Sequence, residues 1–393
     1  MKEQYNSIIL GLGAMGSASV YQLAKRGARV LGIDQFSPPH IMGSTHGDTR
    51  ITRQAIGEGT HYTPISLRSY ELFREIERET GADLLTITGG LMISSPAAAS
   101  IHVAGFFENT LSAARKFNIK HDVLNASQIR SRFPQFKVQD NENAYFEYDA
   151  GFLRPEACIR AQLQLAKKNG ADIHTDERVT SFVQERGGVT VTTDRAEYRA
   201  EQLVVSAGPW LPQFLNPQLS SFFRVKRQVL YWFDVEPNLA EFEPSKFPIF
   251  IWELQAGKQG TYGFPAIDGP HGGMKIATED YTTTTTPTDV QREVTQEETS
   301  AMFENYVKPY FPGVNARCVK SAVCLYTVTP DAGFVVDRLP DAESIIVCSP
   351  CSGHGFKHSA AIGESIAQLV LDGRSRLDLS AFGLERALAA SQT

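Results

Sequence analysis

The sequence has few cysteines, no excess of positive charge and no long apolar segment, and each absence narrows the range of functions. Five cysteines are scattered over 393 residues, too few for a disulfide framework in a chain of this length. The 38 lysines and arginines are outnumbered by 44 acidic residues and form no basic block, so nucleic acids and anionic membranes are poor candidates for partners. No apolar run approaches the ~20 residues that would cross a bilayer.

The first residues also lack the apolar core of a signal peptide, since MKEQYNS leads directly into an apolar strand. We therefore expect a cytoplasmic protein. Its composition, 42% hydrophobic and 21% charged, is typical of a soluble globular protein. Its length is sufficient for two or three domains with a large buried core.

A glycine-rich turn near the N-terminus organises the rest of the chain. Residues 8–16 read IILGLGAMG, in which an apolar strand leads into the G-x-G-x-x-G pattern of dinucleotide-binding folds. The three glycines are Gly11, Gly13 and Gly16. A helix over residues 17–26 and a strand over 29–33 are predicted to follow, and this strand ends at Asp34, where an acid binds the ribose hydroxyls of NAD or FAD. The alternative is an ordinary βαβ unit that binds no nucleotide.

A long polar loop, residues 35–62, follows this unit, and a loop of this length inside a compact domain is usually functional. It contains His40, His46, Arg50, Arg53 and His61. If residues 49–56 are helical, Arg50 and Arg53 point to one side, where guanidinium groups could bind a carboxylate in bidentate fashion. The alternative is that an exposed loop carries charge without a function.

The order of the predicted elements favours a flavin domain over a nicotinamide domain. A helix over 155–169, a strand over 171–174, a meander within 179–199 and a buried strand over 202–208 are typical of the second half of an FAD-binding domain. Near the C-terminus, two strands, the turn PCSGHGFK at 350–357 and a helix over 358–371 complete that domain. The nucleotide domain is therefore predicted to be discontinuous in the sequence.

Segments rich in aromatic and β-branched residues, 222–235 and 248–264, predict a mostly antiparallel sheet. The threonine-rich segment 281–289 is predicted to be a loop that caps a helix over 290–310. The fold class is therefore α/β with two domains, a Rossmann-like FAD-binding domain and a mostly antiparallel substrate domain. We assign residues 1–85, 148–217 and 328–393 to the first domain, and residues 86–147 and 218–327 to the second.

Three cysteines near the C-terminus allow different interpretations. Cys324, on a predicted strand, is either a small buried hydrophobe or a thiolate that links the cofactor covalently. Cys348 and Cys351 form a C-x-x-C pair, but no second pair completes a zinc site, and no thioredoxin-like unit supports a redox pair. We therefore predict no metal site.

Two lysines stand in positions that allow chemistry. Lys275 lies on the predicted antiparallel sheet, with Glu279 four residues later. On a surface these two residues would form a weak ion pair, whereas beside a flavin the lysine would stabilise negative charge that develops on oxygen. Lys357 lies in the glycine-rich turn before a helix, a position that suggests an anionic ligand.

Five sequence blocks carry a family resemblance that covers essentially the whole chain. They are GLGAMG at 11–16, GSTHGDTRITR at 43–53, YGFP at 262–265, CLYTVTPD at 324–331 and SGHGFK at 352–357. In these blocks the chain resembles the monomeric sarcosine oxidase family, which includes N-methyltryptophan oxidase and, more distantly, the fructosyl amino acid oxidases. The second and last blocks are far more specific than the glycine pattern alone.

The resemblance implies FAD joined through its 8α-methyl group to Cys324 and a substrate carboxylate bound by Arg53 and Lys357. It also implies that Lys275 activates oxygen. The other implied catalytic residues, against the flavin or in the substrate pocket, are His46, Arg50, Tyr262, Tyr326 and Glu279. The implied cofactor-binding residues are Gly11, Gly13, Gly16, Asp34, Ser44, His46, Arg50, Cys324, Gly353, Gly355 and Lys357. The implied reaction is oxidation of the C–N bond of a small secondary amino acid by a monomeric enzyme, with hydrolysis of the imine and reduction of O2 to H2O2.

The chain departs from the family pattern at a few positions. Sarcosine oxidases carry a histidine at the position of Glu279, whereas the fructosyl amino acid oxidases have a lysine and a glutamate four residues apart. The paired histidines of the family read Thr45–His46 here, and a tyrosine before the GEG motif reads Ile56. The main hypothesis is an FAD-dependent oxidase of sarcosine or other N-methyl amino acids, and the alternative is a fructosyl amino acid oxidase. An NAD-dependent dehydrogenase and an inactive flavin-binding protein are further alternatives.

Overall fold

A computed structural model describes residues 4–95, 103–255 and 257–386. The strands are, in chain order, β1 (Tyr5–Leu10), β2 (Val30–Ile33), β3 (Arg50–Thr52), β4 (Leu85–Ile87), β5 (Gly90–Ser94), β6 (His121–Asn125), β7 (Asn143–Glu147), β8 (Gly151–Leu153), β9 (Asp172–His174), β10 (Val179–Glu185), β11 (Gly188–Thr193), β12 (Glu197–Val205), β13 (Arg224–Phe233), β14 (Ile249–Glu253), β15 (Thr261–Phe264), β16 (Met274–Thr278), β17 (Thr284–Thr285), β18 (Cys318–Val328), β19 (Val335–Leu339) and β20 (Ala342–Ser349). The α-helices are α1 (Ala14–Lys25), α2 (Thr63–Thr80), α3 (Phe106–Lys116), α4 (Ala126–Arg132), α5 (Pro155–Lys168), α6 (Pro217–Ser220), α7 (Leu239–Phe242), α8 (Gln296–Met302) and α9 (Ser359–Asp372).

The strands form three sheets. The first has the order β10-β11-β12-β1-β2-β9, with β20 paired to β12 and β19 paired to β20. The second has the order β17-β13-β16-β15-β14-β5-β7-β6, with β18 paired to β13. A small third sheet has the order β3-β8-β4. The α/β fold class with a mostly antiparallel second sheet is confirmed.

The centre of the first sheet is parallel and buried on both faces. β1 pairs in parallel with β2 and β12, and β12 pairs in parallel with β20. The apolar run of β1 is buried because helices cover this part of the sheet, the usual arrangement for parallel strands. α1 packs closely against α9, since a Cβ on Gly363 would lie 2.4 Å from Cβ of Ala18. The glycine turn after β1 therefore sits on a rigid support.

The second sheet carries an aromatic core. Phe136, Phe233, Phe247, Phe250 and Trp252 are all buried within one cluster, and Phe136 stacks on Phe247 with ring centroids 4.8 Å apart. Most aromatic residues of the predicted antiparallel segments are therefore core residues. This packing fixes the sheet whose strands β16 and β18 carry Lys275 and Cys324.

Three sequence-based expectations of local structure are wrong. Residues 49–56 do not form a helix, because Arg50–Thr52 pair with β8 as strand β3. The last strand of the meander predicted within 179–199 and the separate strand predicted over 202–208 form one continuous strand, β12. The helix predicted over 290–310 begins only at Gln296, where Thr295 caps it in a capping box with Glu298.

The strands of the first sheet come from three separated parts of the chain, residues 5–33, 172–205 and 335–349. The strands of the second sheet come from residues 90–147, 224–285 and 318–328. The domain boundaries themselves stay a prediction. Among the helices within the described ranges, none combines the length and the apolar character needed to span a membrane.

Candidate active site

A cavity of ≈ 400 Å³ opens at the carboxyl ends of the parallel strands of the first sheet. Seven of the predicted cofactor-binding residues line it, namely Gly11, Gly13, Asp34, Ser44, Arg50, Gly353 and Gly355. Tyr326 of β18 and the cysteines Cys348 and Cys351 also line this cavity. A cleft at this end of a parallel sheet is the usual position of a nucleotide ligand in α/β folds.

The three glycines of the first turn have different surroundings. Gly11 has φ of +87°, a conformation that side chains rarely adopt. A Cβ on Gly16 would lie 1.7 Å from the carbonyl oxygen of Gly11, so Gly16 permits close packing of α1 on the turn. A Cβ on Gly13 would meet Oγ1 of Thr45 at 3.5 Å, and Gly13 itself lines the cavity. The turn therefore leaves backbone exposed beside the N-terminus of α1, where an anionic group binds favourably.

Asp34 lies at the end of β2 and organises the same turn. Its Oδ2 accepts a hydrogen bond from the amide of Leu12 at 2.8 Å, and its Oδ1 accepts one from the amide of Phe36 at 2.8 Å. The carboxylate is buried and lines the cavity. Asp34 therefore occupies the position where an acid can accept hydrogen bonds from ribose hydroxyls.

Arg50 lines another part of the cavity and contacts Cys324. Nη2 of Arg50 donates to the carbonyl oxygen of Ser44 at 2.8 Å and lies 3.5 Å from Sγ of Cys324. Sγ of Cys324 in turn lies 3.4 Å from the oxygen of Ser44. The thiol therefore lies next to a residue that lines the cavity.

His46 lies in the same loop and is buried. Burial and the neighbouring charge of Arg50, and then that of Lys275, lower the pKa of His46 to about 3. Its Nε2 has no hydrogen-bond partner within the described part of the chain. The imidazole is therefore neutral at physiological pH, with one nitrogen available to a ligand.

Lys275 is buried in β16 and is held by the loop before β3. Its Nζ donates to the carbonyl oxygens of Gly47 and Thr49 at 2.6 and 2.9 Å. Burial, followed by the charge of Arg50, lowers the pKa of Lys275 well below its usual value. A buried lysine with a shifted pKa is a candidate functional residue, since residues with shifted pKa values cluster at functional sites.

Arg53 and Lys357 lie close together in a buried charged cluster. Arg53 is 1% exposed and forms an ion pair with Glu58 at 2.5 Å, while its Nε has no partner among the described residues. Nζ of Lys357 donates to the carbonyl oxygen of His354 at 2.7 Å. Burial lowers the pKa of Lys357 to about 8, with the charges of Glu58, Arg53 and Glu279 as further influences. These two cations are suited to bind a carboxylate.

Glu279 is the second carboxyl group of this cluster. Burial raises the pKa of Glu279 to about 8, and its Oε2 accepts a hydrogen bond from the hydroxyl of Tyr281 at 3.0 Å. The hydroxyls of Tyr262 and Tyr326 lie 3.0 Å apart, and the pKa values of both are raised by burial and by Glu279. Since Tyr326 lines the cavity, the charge of Glu279 acts on a residue of the cavity wall.

The structure brings most of the predicted residues together but not all of them. His40 lines the cavity, whereas His61 packs against Tyr62 and Phe382 away from it. Glu58, Tyr281 and the carbonyls that hold Lys275 were not predicted. Glu58 had a weak signal, as it lies in a GEG sequence five residues after Arg53, but its ion pair depends on a fold of the loop that no local pattern specifies.

The donor set of the cavity fits FAD and not a metal. Backbone amides at a helix N-terminus suit a pyrophosphate, and Asp34, which lines the cavity, suits a ribose. Among the residues that the structure describes, no group of three or more histidine, cysteine or acidic side chains is arranged to hold a metal ion.

Comparison with known proteins defines the class first. The chain belongs to the family of FAD dependent oxidoreductases, whose profile matches residues 7–369. Within it, the resemblance to monomeric sarcosine oxidase is confirmed: the enzyme of that name from Streptomyces avermitilis is 41% identical over 391 residues, 99% of this chain and 100% of that protein. The N-methyl-L-tryptophan oxidase of Escherichia coli K12 is 34% identical over 389 residues, 98% of this chain and 99% of that protein.

Solved structures support the fold. NikD, an unusual amino acid oxidase essential for nikkomycin biosynthesis, superposes with a TM-score of 0.82 at 21% identity, covering 97% of both chains. Amadoriase I from Aspergillus fumigatus, a fructosyl amine:oxygen oxidoreductase, gives a TM-score of 0.78 at 16% identity, covering 99% of this chain and 91% of that one. At these identities the likeness concerns the fold alone.

Proposed function

We propose that the protein is an FAD-dependent oxidase of secondary amino acids, with sarcosine or other N-methyl amino acids as substrates. The observation that carries this proposal is that two buried cations, Arg53 and Lys357, lie in one charged cluster with Glu279, whose charge also acts on Tyr326 at the wall of the predicted flavin cavity. The names of the full-length relatives, monomeric sarcosine oxidase and N-methyl-L-tryptophan oxidase, support it. An NAD-dependent dehydrogenase is set aside because the family is FAD-dependent.

Arg53 and Lys357 would bind the substrate carboxylate. The guanidinium of Arg53 offers a planar set of N–H donors, and the ammonium of Lys357, two residues before the start of helix α9, offers a compact positive charge. When both cations bind the substrate carboxylate, the amine of the substrate is oriented relative to the cavity. Orientation of this kind supplies a large part of enzymatic rate enhancement. Replacement of Arg53 by alanine should therefore weaken binding of amino acids far more than binding of their amides.

FAD, when bound, supplies the two-electron chemistry: it accepts a hydride equivalent from the amine and passes the electrons to O2. Gly11, Gly13, Asp34, Gly353 and Gly355 would hold its pyrophosphate and ribose. Cys324 would carry the covalent bond, with Arg50 beside it. His46 would contribute a neutral imidazole near the flavin.

Lys275 would serve the oxygen half of the reaction. A cation in a dry site stabilises the negative charge that develops on oxygen as it accepts electrons. Tyr262 and Tyr326 would form walls of the substrate pocket, where their hydroxyls exclude bulk water from the amine. After oxidation the imine leaves the site or reacts with water to give a primary amine and a carbonyl compound.

The experiment that tests the proposal is anaerobic bleaching of the flavin absorbance by a substrate panel. The panel contains sarcosine, N-methyltryptophan, pipecolate, proline and fructosyl-glycine. We expect bleaching by sarcosine or a larger N-methyl amino acid. Absence of bleaching by every amine would contradict the proposal.

One observation favours a second candidate, a fructosyl amino acid oxidase. Glu279 places a second carboxyl group in the charged cluster, and a carboxyl group there could accept hydrogen bonds from sugar hydroxyls. Bleaching by fructosyl-glycine alone would establish this function in place of the first.

Covalent attachment of FAD has its own test. Protein precipitated with acid should give a yellow pellet, and Cys324→Ser should give a colourless pellet with free flavin in the supernatant. A colourless pellet from the unaltered protein would remove the covalent bond from the proposal. The monomeric state, the release of H2O2 and the cytoplasmic location stay predictions, of which gel filtration and a peroxidase-coupled assay test the first two.

A further inference from the structure

The turn Gly47–Thr49 presents backbone carbonyls to Lys275. The oxygens of Gly47 and Thr49 lie 2.6 and 2.9 Å from Nζ of Lys275, and Oγ1 of Thr49 lies at 3.2 Å. Asp48, between them, has φ of +68°, in the left-handed region that few residues other than glycine, asparagine and aspartate adopt. Contacts with two other parts of the chain hold the turn in this shape.

Glu156 holds the turn from its amide side. The amides of Gly47 and Asp48 both donate to Oε1 of Glu156, at 2.7 and 3.2 Å. Glu156 lies in the first turn of α5, where a carboxylate is stabilised by the helix dipole. With both amides held on one side, the carbonyls of the turn are directed to the other side, where Lys275 lies.

Asp48 holds the turn through its side chain. Its Oδ2 forms an ion pair with Nζ of Lys320 on β18 at 2.6 Å. Trp232 of β13 pairs with Lys275 on one side and with Lys320 on the other, and its ring lies 5.2 Å from Nζ of Lys275 and 4.8 Å from Nζ of Lys320. The ion pair therefore ties the turn to the same sheet that carries Lys275.

The carboxylates of Asp48 and Glu156 also act on Lys275 through their negative charge. Arg50 opposes a positive charge on Lys275, whereas Asp48 and Glu156 favour it. Cys324 also favours the charge on Lys275, and the charge of Lys275 in turn lowers the pKa of His46. Since burial disfavours the ammonium, the loss of either carboxylate would both loosen the carbonyls and weaken the charge.

We propose that Glu156 and Asp48 are positioning residues for Lys275, which hold the 47–49 turn and with it the lysine in place for the oxygen half-reaction. This inference rests on the proposed role of Lys275. It does not depend on which amine the enzyme oxidises.

A matched control exists elsewhere in the chain. Oε1 of Glu77 accepts hydrogen bonds from two consecutive amides, those of Leu84 and Leu85, at 2.9 Å each. Glu77→Ala therefore removes the same kind of double amide contact as Glu156→Ala, at a position that no contact of Lys275 involves. Glu156→Gln keeps an amide oxygen as acceptor and removes only the charge.

The first readout is the titration of Lys275 in the flavin-loaded enzyme without substrate. Labelling lysine at Cε with 13C and comparing with Lys275→Met identifies the resonance of this lysine. We expect its pKa to fall in both Asp48→Asn and Glu156→Ala, because each removes a nearby opposite charge. It should not change in Glu77→Ala.

The second readout is reoxidation by O2 of flavin that has been reduced with dithionite, so that no amine takes part. We expect Glu156→Ala to reoxidise about tenfold more slowly, since a shift of a catalytic group by less than 1 Å has effects of this order or larger. Glu156→Gln should be slowed less, and Glu77→Ala should react at the unaltered rate. In a Lys275→Met background, Glu156→Ala should have no further effect, as a double-mutant cycle requires for residues that act together.

Two results would overturn the inference. One is an unchanged Lys275 titration and reoxidation rate in Glu156→Ala, or in Glu156→Gln and Asp48→Asn if the alanine variant does not fold. The other is an equal slowing by Glu156→Ala with and without Lys275. Failure of the proposed function would be seen separately, as a flavin that no amine bleaches but that dithionite still reduces.

Discussion

Lys275 and Lys357 are both buried lysines with lowered pKa values, yet their surroundings differ in kind. Lys275 is held by two carbonyls and a hydroxyl from one turn, and its neighbouring charge Arg50 opposes its own. Lys357 has one carbonyl partner and lies among Glu58, Arg53 and Glu279. The three contacts of Lys275 fix its ammonium group in place. Among the described residues Lys357 has fewer hydrogen-bond acceptors, so that its ammonium group can also donate to an anionic substrate. The comparison suggests that the two lysines serve different halves of one reaction.

The largest effect is expected on the oxygen half-reaction, when Lys275 is replaced. Lys275→Met should slow reoxidation of the reduced flavin by about 10²- to 10³-fold, the usual cost of removing a group that stabilises developing charge. Anaerobic reduction by the amine should change little. Stopped-flow measurement of the two half-reactions checks this expectation, and equal losses in both would remove the distinction between the two lysines.

Lys357→Met should weaken binding of the substrate instead of slowing reoxidation of the flavin. Loss of one charged hydrogen bond to the substrate carboxylate costs about 1.5–3 kcal/mol, which raises the dissociation constant roughly 10- to 150-fold. The amide of the same amino acid should be affected much less, and reoxidation should not change. A variant that slowed reoxidation as much as Lys275→Met would contradict the assignment.

The pH dependence of substrate binding should distinguish Lys357 from Glu279. Lys357, with a pKa of about 8, binds an anion only while protonated, so binding weakens as the pH rises above 8. Glu279, also near 8, gains a negative charge over the same range and weakens binding in the same direction. In the unaltered protein we expect the dissociation constant to rise steeply above pH 8, because both groups change charge. In Glu279→Gln we expect it to rise about tenfold per pH unit, the slope that the titration of a single group gives. Identical pH profiles for both proteins would exclude a role for Glu279 in binding.

The smallest effect is expected at the tyrosine pair between the two sites. Tyr262→Phe removes one hydrogen bond to Tyr326, worth about 1 kcal/mol, and both half-reactions should slow by less than tenfold. Rapid-reaction measurements across pH 7–9 check this. A loss above a hundredfold in amine oxidation would instead assign acid–base chemistry to Tyr262, because walls of a pocket do not contribute on that scale.

The nucleotide site was predictable because its signals are local. A glycine pattern between an apolar strand and a helix specifies its own turn, and Asp34 follows from a fixed spacing along the βαβ unit. The aromatic segments likewise predicted a buried sheet because β-branched and aromatic residues pack well on a pleated surface. The helix expected at 49–56 failed for the opposite reason, since pairing with a distant strand overrode local preference.

The amino-acid sequence by itself determined the α/β class, the nucleotide turn and, through its specific blocks, the family to which the chain belongs. Only the tertiary structure decided that Glu58 pairs with Arg53, that the 47–49 turn holds Lys275, and that Glu156 holds the turn. The last two contacts join residues far apart in the chain, as Gly47 and Lys275 are, whereas Arg53 and Glu58 are brought together by the fold of one loop. Their burial, and with it the lowered pKa values of both lysines and the raised pKa of Glu279, arises when sheets and helices exclude water around them.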